Sequence, residues 1–297
     1  MNTQTTGMIQ VVAGAVCWGT LGVLGATLNR LSFSGGEVAA LRIVIAAVLL
    51  LSALRYFLPY LKQLRMRQLP FLAVQSFIGV LGMSLLYFAA VARIGSSLAV
   101  ALLYTAPVWS LIFARMILGE GITRRQALLT VVAAAGVGLT MTGGGAADTA
   151  GITAGLGAGI CYALYGVLGK RAMLGNPPIL VFFTSICCSA LVLLLLPATH
   201  TAFGKLAQQD WAAWLSAIGM SLVGTVAAFF LFVKGLEKMP AAKAAVFTVF
   251  EPFTAVLLAA VFLGERLGSL QYAGVALIIA VAVLNATGGK KKTAYRK

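Results

Sequence analysis

Glu251, directly before Pro252, is the one acidic side chain of seven that falls in the middle of a long apolar stretch. A carboxyl at that depth is costly and marks a functional position. It could exchange a proton, or attract an amine. The plainer alternative is a neutral acid hydrogen-bonded to backbone freed by the proline or to a neighbouring hydroxyl. Around it, at helical spacing, stand aromatic, hydroxyl and thioether side chains. Ser76, Gly79, Met83 and Tyr87 stand at i, i+3, i+7 and i+11, which predicts one helical face. Tyr104-Thr105-Ala106-Pro107-Val108-Trp109 aligns with Val249-Phe250-Glu251-Pro252-Phe253-Thr254. Mid-stretch prolines remove a helical hydrogen bond, predicting a kink at Pro107 and at Pro252. The candidate substrate-binding set is Trp18, Ser76, Met83, Tyr87, Tyr104, Trp109, Tyr162, Tyr165, Phe229, Phe250 and Glu251. The candidate hinges are Pro107, Pro252, Gly79 and Gly224. Stacking from the aromatic rings would hold a cargo side chain, and cation–π contact would help with an ammonium group.

Catalytic apparatus is missing from this set. The single histidine is His200, and no Ser/His/Asp set, paired carboxylates, phosphate loop or HExxH pattern occurs. Cys17, Cys161, Cys187 and Cys188 all lie in apolar stretches without CxxC spacing, so they read as small packing residues. The sequence therefore predicts no enzyme, no metal and no cofactor.

The elements that must position these residues are repeated. Cys17-x4-Gly22-Val23-Leu24-Gly25 returns as Cys161-x4-Gly166-Val167-Leu168-Gly169. Ser76-x2-Gly79 returns as Ser221-x2-Gly224, and Leu118-Gly119-Glu120 as Leu263-Gly264-Glu265. Pro107, Gln126 and Gly143-Gly144 return as Pro252, Gln271 and Gly288-Gly289, all at an offset of 145. Glycine in the two LGE segments suits a helix C-terminal cap, and Glu the start of the next helix.

With 61% hydrophobic and 10% charged residues the chain does not have the composition of a soluble domain, in which about a quarter is charged. Ten apolar stretches, each long enough to cross a hydrocarbon core of about 30 Å, lie near 8–28, 38–58, 69–91, 97–118, 124–143, 151–171, 178–197, 212–235, 241–263 and 269–287. The expected fold is an all-α membrane protein with ten transmembrane helices, arranged as two inverted five-helix repeats around a central cavity. Residues 1–297 form a single membrane domain, with repeats at 8–144 and 150–289 and a basic cytoplasmic tail at 290–297. Five spans per half send the second copy in from the opposite side.

The net charge of +15 does not point to nucleic acid. With both termini cytoplasmic, only Arg30, Arg42, Arg93, Lys205 and Arg266 of the 22 basic residues fall at or near the outer side. That is the positive-inside pattern, and the tail would meet anionic lipid headgroups. No Lys or Arg sits clearly at mid-span, although Arg42 lies about five residues into the second stretch, and phosphorylated cargo is disfavoured accordingly.

Ten spans in a five-plus-five repeat, Glu251-Pro252 in the ninth and LGE closing the fourth and ninth resemble the EamA family of the drug/metabolite transporter superfamily. Within it, the chain is similar to YddG-type bacterial amino-acid exporters. The resemblance implies a basket of ten helices with a cavity lined by spans 1, 3, 4, 6, 8 and 9. It further implies efflux of neutral and aromatic amino acids, or related small metabolites, across the bacterial inner membrane by alternating access. Small multidrug relatives carry a first-span glutamate; this chain has none there, which disfavours cationic-drug antiport. A facilitative channel-like pore, or export of another small metabolite or drug, is the alternative. Partners would be the small-molecule substrate and the bilayer, with proton coupling through Glu251 left open.

Overall fold

A computed structural model describes residues 3–87, 89–90, 93, 102–140, 149–248, 250–263 and 268–287. Gly143-Gly144, Gly264-Glu265, Gly288-Gly289 and the basic tail lie outside the described residues. Those described are in helices, turns and short irregular links, without a strand among them. The helices are α1 (Thr3–Gly19), α2 (Leu21–Arg30), α3 (Gly35–Ser52), α4 (Leu54–Leu61), α5 (Leu69–Ser76), α6 (Ala106–Leu118), α7 (Arg124–Thr140), α8 (Thr149–Ala172), α9 (Pro178–Leu193), α10 (Pro197–Ala207), α11 (Trp211–Ser221), α12 (Ala228–Leu236), α13 (Ala241–Phe247), α14 (Phe250–Leu263) and α15 (Ser269–Thr287). Five helical segments are long and apolar enough to cross a bilayer unaided: Thr3–Gly25, Gly35–Ser52, Met66–Tyr87, Thr149–Ala172 and Trp211–Leu236.

The seventh stretch does not run straight to residue 197 as the sequence predicts. It ends at Leu193, and α10 leaves at 91° to α9. Pro197 opens that new helix, which buries only Thr199, Ala202 and Leu206. Lys205 on α10 pairs with Glu37 at 2.8 Å and donates to Ser32 O at 3.2 Å. Glu37 also completes a capping box with Ser34, fixing the start of α3. Three residues thereby tie α10 to the turn between α2 and α3.

The repeat is also visible in the backbone, in a conformation that residue types alone did not reveal. Phe77–Gly82, directly after α5, is a π-helical turn, and so is Leu222–Ala227, directly after α11. Their ends lie 145 residues apart, the offset of the sequence motifs. A π-turn adds a residue per turn and rotates the helix beyond it. The predicted single face Ser76–Gly79–Met83–Tyr87 is therefore split. Ser76 faces α9, donating to Ser185 O at 2.7 Å and meeting the Ser189 hydroxyl at 2.9 Å. Gln75 accepts from Ser185 at 2.8 Å in the same buried seam. Met83 and Tyr87 turn instead toward the cluster of Leu103 and Tyr104.

The two halves pack crosswise. α1 lies on α12 and α14, while its repeat mate α8 lies on the first π-turn and α6. Backbone contact makes these crossings close. A Cβ on Gly14 would sit 2.8 Å from Ala228 O, and one on Gly159 2.9 Å from Leu102 O. α7 packs on α15, and α3 on α9, so fifth with tenth and second with seventh stretches also pair across the halves.

Candidate functional site

Both proline-bearing stretches are broken rather than kinked. Thr105 N and Oγ1 both bond Leu102 O, at 3.1 and 2.7 Å, closing a turn at residues 104–105. A fresh helix then starts at Ala106, with Pro107 in its first turn, where a missing N–H costs nothing. In the second copy α13 ends at Phe247, and Thr248 Oγ1 bonds Ala245 O at 2.8 Å. α14 begins at Phe250, so Glu251 and Pro252 stand in its first turn. Thr105 aligns with Phe250 and Thr248 with Leu103, so different threonines make the two breaks. Each break leaves a helix N-terminus inside the molecule, a position that favours negative charge.

The Glu251 carboxylate accepts a hydrogen bond from the Tyr162 hydroxyl at 3.2 Å. Tyr104, on the broken fourth stretch, approaches the same carboxyl, but its buried hydroxyl has no hydrogen bond of good geometry. Glu251, Tyr162, Tyr87 and Met83 are only half-buried although they stand on apolar helices deep in the fold. Side chains so placed can meet a small solute.

Arg42 is the site residue that sequence reasoning missed. Hydropathy places it near the outer side and assigns no basic group to mid-span. α3 begins at Gly35, so Arg42 lies two turns inside it, about 10 Å along the axis, slightly further in than the stretch bounds read from hydropathy. It is 8% exposed and lies within electrostatic reach of Glu251. Its Nη2 donates to Ser84 Oγ at 3.3 Å. The available signal was a lone arginine within the otherwise uncharged run 38–54.

Beside this polar group stands a wall of rings. Trp18 meets Phe229 and Tyr162 edge-on, with centroids 5.0 and 5.9 Å apart, and lies 5.2 Å from Phe232. Tyr165 meets Phe229 edge-on at 5.2 Å and stacks on Phe232 at 5.8 Å. Four of the predicted residues, Trp18, Tyr162, Tyr165 and Phe229, are thus brought together. Phe232, on the eighth stretch but outside the candidate set, joins them. Trp18, Tyr165 and Phe229 are buried, so Tyr162 is the ring that links the wall to Glu251. Tyr162 also belongs to a second cluster, with Tyr87, Tyr104, Met83 and Phe253. Phe250 meets Phe253 edge-on at 6.1 Å. Trp109 stands one turn beyond the break, its Nε1 donating to Thr105 at 3.1 Å and its ring stacked over Phe113. Ser76 lies apart, in the α5–α9 seam. Gly79 and Gly224 lie inside the two π-turns.

At one end of the bundle the two halves are tied by polar contacts. Gly119 adopts φ +68° and caps α6, as its place in LGE predicts. Glu120 reaches the other half of the molecule. Its Oε1 accepts from Ala241 N at 3.1 Å, capping α13 of the other half. The start of α7 is capped locally instead, by Thr123 and Gln126. Lys170, at the end of α8, donates to Leu236 O and Glu237 O at 2.5 and 3.1 Å, closing the C-terminus of α12. Lys238 reaches Gln10 of α1 at 2.8 Å.

Among the described residues no three His, Cys, Asp or Glu side chains converge on one point. What the described residues bring near one another is a carboxylate, a guanidinium, three phenols and apolar rings.

Comparison with known proteins gives the family. The family model described as the EamA-like transporter family matches the chain twice, over residues 5–142 and 149–287. The uncharacterized transporter YwfM of Bacillus subtilis is 34% identical over 152 residues, covering 50% of this chain and 49% of its own length. The match therefore spans about half of that relative. An uncharacterized transporter of Archaeoglobus fulgidus is 30% identical over 65% of this chain and 68% of its own. The threonine/homoserine exporter RhtA of Escherichia coli K12 is 25% identical over 83% of this chain and 80% of its own. A solved crystal structure superposes with a TM-score of 0.75 over 95% of this chain and 96% of its own, at 18% identity, which speaks to fold. This is a multi-pass membrane protein, and with both halves matched the chain belongs to the EamA-like transporter family, whose members are transporters and not enzymes.

Proposed function

We propose that the chain is a secondary transporter that exports neutral and aromatic amino acids, or closely related small metabolites, across the bacterial inner membrane by alternating access. The observation that carries this reading is Glu251 in the first turn of a broken helix, bonded to Tyr162 and half-buried beside an aromatic wall. A carboxylate beside aromatic rings suits an ammonium group attached to an apolar or small side chain. The likeness to a threonine/homoserine exporter favours amino acids as the cargo class.

The architecture behind it is ten spans in two inverted five-helix repeats around a central cavity, with both termini cytoplasmic. The paired π-turns, the paired breaks and the crosswise packing of α1 and α8 support the repeat. Helices broken at mid-depth are how many secondary transporters build a site at the repeat interface. Glu120, Lys170 and Lys238 would form the closed cytoplasmic gate, because each bridges elements that must part for the cavity to open there. Pro107, Pro252, Gly79 and Gly224 would be the points about which spans 3, 4, 8 and 9 move.

Counterflow tests the mechanism. Proteoliposomes preloaded with unlabelled phenylalanine should take up labelled phenylalanine faster than empty-loaded ones. Equal rates, with flux that does not saturate, would replace the carrier by a channel-like pore.

A further inference from the structure

A guanidinium buried in an apolar helix needs a reason, because desolvating a charge is expensive unless it is paired. Arg42 is 8% exposed, yet neither ion pair found among the described residues, Lys205–Glu37 or Lys234–Glu237, includes it. Its Nη2 makes one long hydrogen bond, to the neutral Ser84 hydroxyl, and its Nε has no hydrogen-bond partner. Glu251 lies near enough for the two charges to interact but not in ion-pair contact. A single bond to a hydroxyl does not offset the burial of a full charge.

The surroundings point the guanidinium rather than quench it. Ser84 donates its proton to Val80 O at 2.8 Å, so its oxygen is left to accept from Arg42. Val80 belongs to the first π-turn. The arginine is thereby held on the span that carries that turn, with Tyr87 beside it. A planar guanidinium with unused donors matches a carboxylate, which it can grip through two parallel bonds.

We propose that Arg42 is the carboxylate anchor of the central site, taking the α-carboxylate of a zwitterionic cargo while Glu251 takes its ammonium group. This rests on the amino-acid reading above and adds the residue that would make it selective. Opposite charges at the two poles accept a molecule carrying both. A plain amine meets Arg42 with like charge, and a plain carboxylate meets Glu251 with like charge, so each is rejected by repulsion. Side-chain selectivity is then left to the rings, consistent with a site that tolerates more than one neutral amino acid.

The test is binding to purified wild-type protein of phenylalanine, phenethylamine, which lacks the carboxylate, and 3-phenylpropionate, which lacks the ammonium group. The same panel is run on Arg42→Gln and Arg42→Lys. Phenylalanine should bind wild type, and both analogues should bind about thirtyfold or more weakly, the lower end of what removing one member of a buried charge pair costs. Arg42→Gln should lose phenylalanine binding by a similar factor without losing phenethylamine, and Arg42→Lys should recover part of the difference. If phenethylamine binds wild type as well as phenylalanine does, the anchor role falls while the amino-acid reading stands. If phenylalanine fails and 3-phenylpropionate binds, the amino-acid reading falls and Arg42 remains an anion site. If none binds, both fall. The wild-type panel decides even where a variant does not fold. An Arg42→Gln protein that keeps the preference for phenylalanine over phenethylamine would overturn the proposal and leave Arg42 a packing residue.

Discussion

Gly79 and Gly224 occupy equivalent places in the two π-turns, yet replacing each by alanine should have unequal effects. A Cβ on Gly79 would stand 2.8 Å from both Cα and Cβ of Tyr165 and 2.9 Å from its Cδ2. Those atoms belong to the backbone of α8 or hang directly from it, so relief requires the two helices to move apart. Overpacking of that kind costs about 1–3 kcal/mol. A Cβ on Gly224 would stand 2.2 Å from Leu21 Cδ2 and 2.8 Å from its Cγ. There a flexible side chain can swing away, at about 0.5–1.5 kcal/mol for an off-rotamer torsion. Alanine regains up to about 1 kcal/mol of helix propensity over glycine in either case. The expected result is a net loss of up to about 2 kcal/mol for Gly79→Ala and near neutrality for Gly224→Ala. Thermal unfolding of both variants in detergent reads the difference, at roughly 2–4 °C per kcal/mol for chains somewhat shorter than this one. Gly25→Ala, where nothing lies within 4 Å, is the control. Equal losses at Gly79 and Gly224, or a larger loss at Gly224, would refute the crosswise packing of α8 on the first π-turn.

Other perturbations probe the site and its supports. Tyr162→Phe removes the hydrogen bond to Glu251; at about 1.5 kcal/mol for a bond to a charged partner, cargo affinity should fall about tenfold in a binding titration, with folding intact. Glu120→Ala removes the cap on α13 and should cost about 1 kcal/mol in thermal unfolding, whereas Glu120→Gln, which keeps an acceptor oxygen, should recover part of it. Ser185→Ala breaks the α5–α9 seam at Gln75 and should lower stability by about 1–3 kcal/mol without changing substrate preference in transport competition.

Much of the architecture could be read from residue types. The repeat offset carried over unchanged into the paired π-turns, and Pro107 and Pro252 marked the two breaks. That they would be breaks was not legible, because the decisive contacts are threonine hydroxyls competing for carbonyls. The same competition divides the first stretch at Thr20, which donates to Cys17 O at 2.7 Å, while α8 runs on through Leu164 at the equivalent position. The π-turns escaped detection because a helical stripe is counted at 3.6 residues per turn, and one added residue sends Ser76 and Tyr87 to different neighbours. Glu251 stood out as an isolated acid. Arg42 did not, because it stands near one end of its stretch and its partner Ser84 is 42 residues away in sequence. The bridges from Glu120 to Ala241 and from Lys170 to Leu236 join residues far apart in sequence, and nothing local announces them.

The most direct test of the central claim is uptake of radiolabelled phenylalanine and threonine into proteoliposomes, with and without an imposed pH gradient. Saturable uptake above that of empty liposomes, strongly reduced in a folded Glu251→Gln variant, is the predicted result; stimulation by the gradient in wild type alone would assign Glu251 the proton. Absence of saturable uptake by folded wild-type protein would contradict the account and leave a transporter for some other small metabolite.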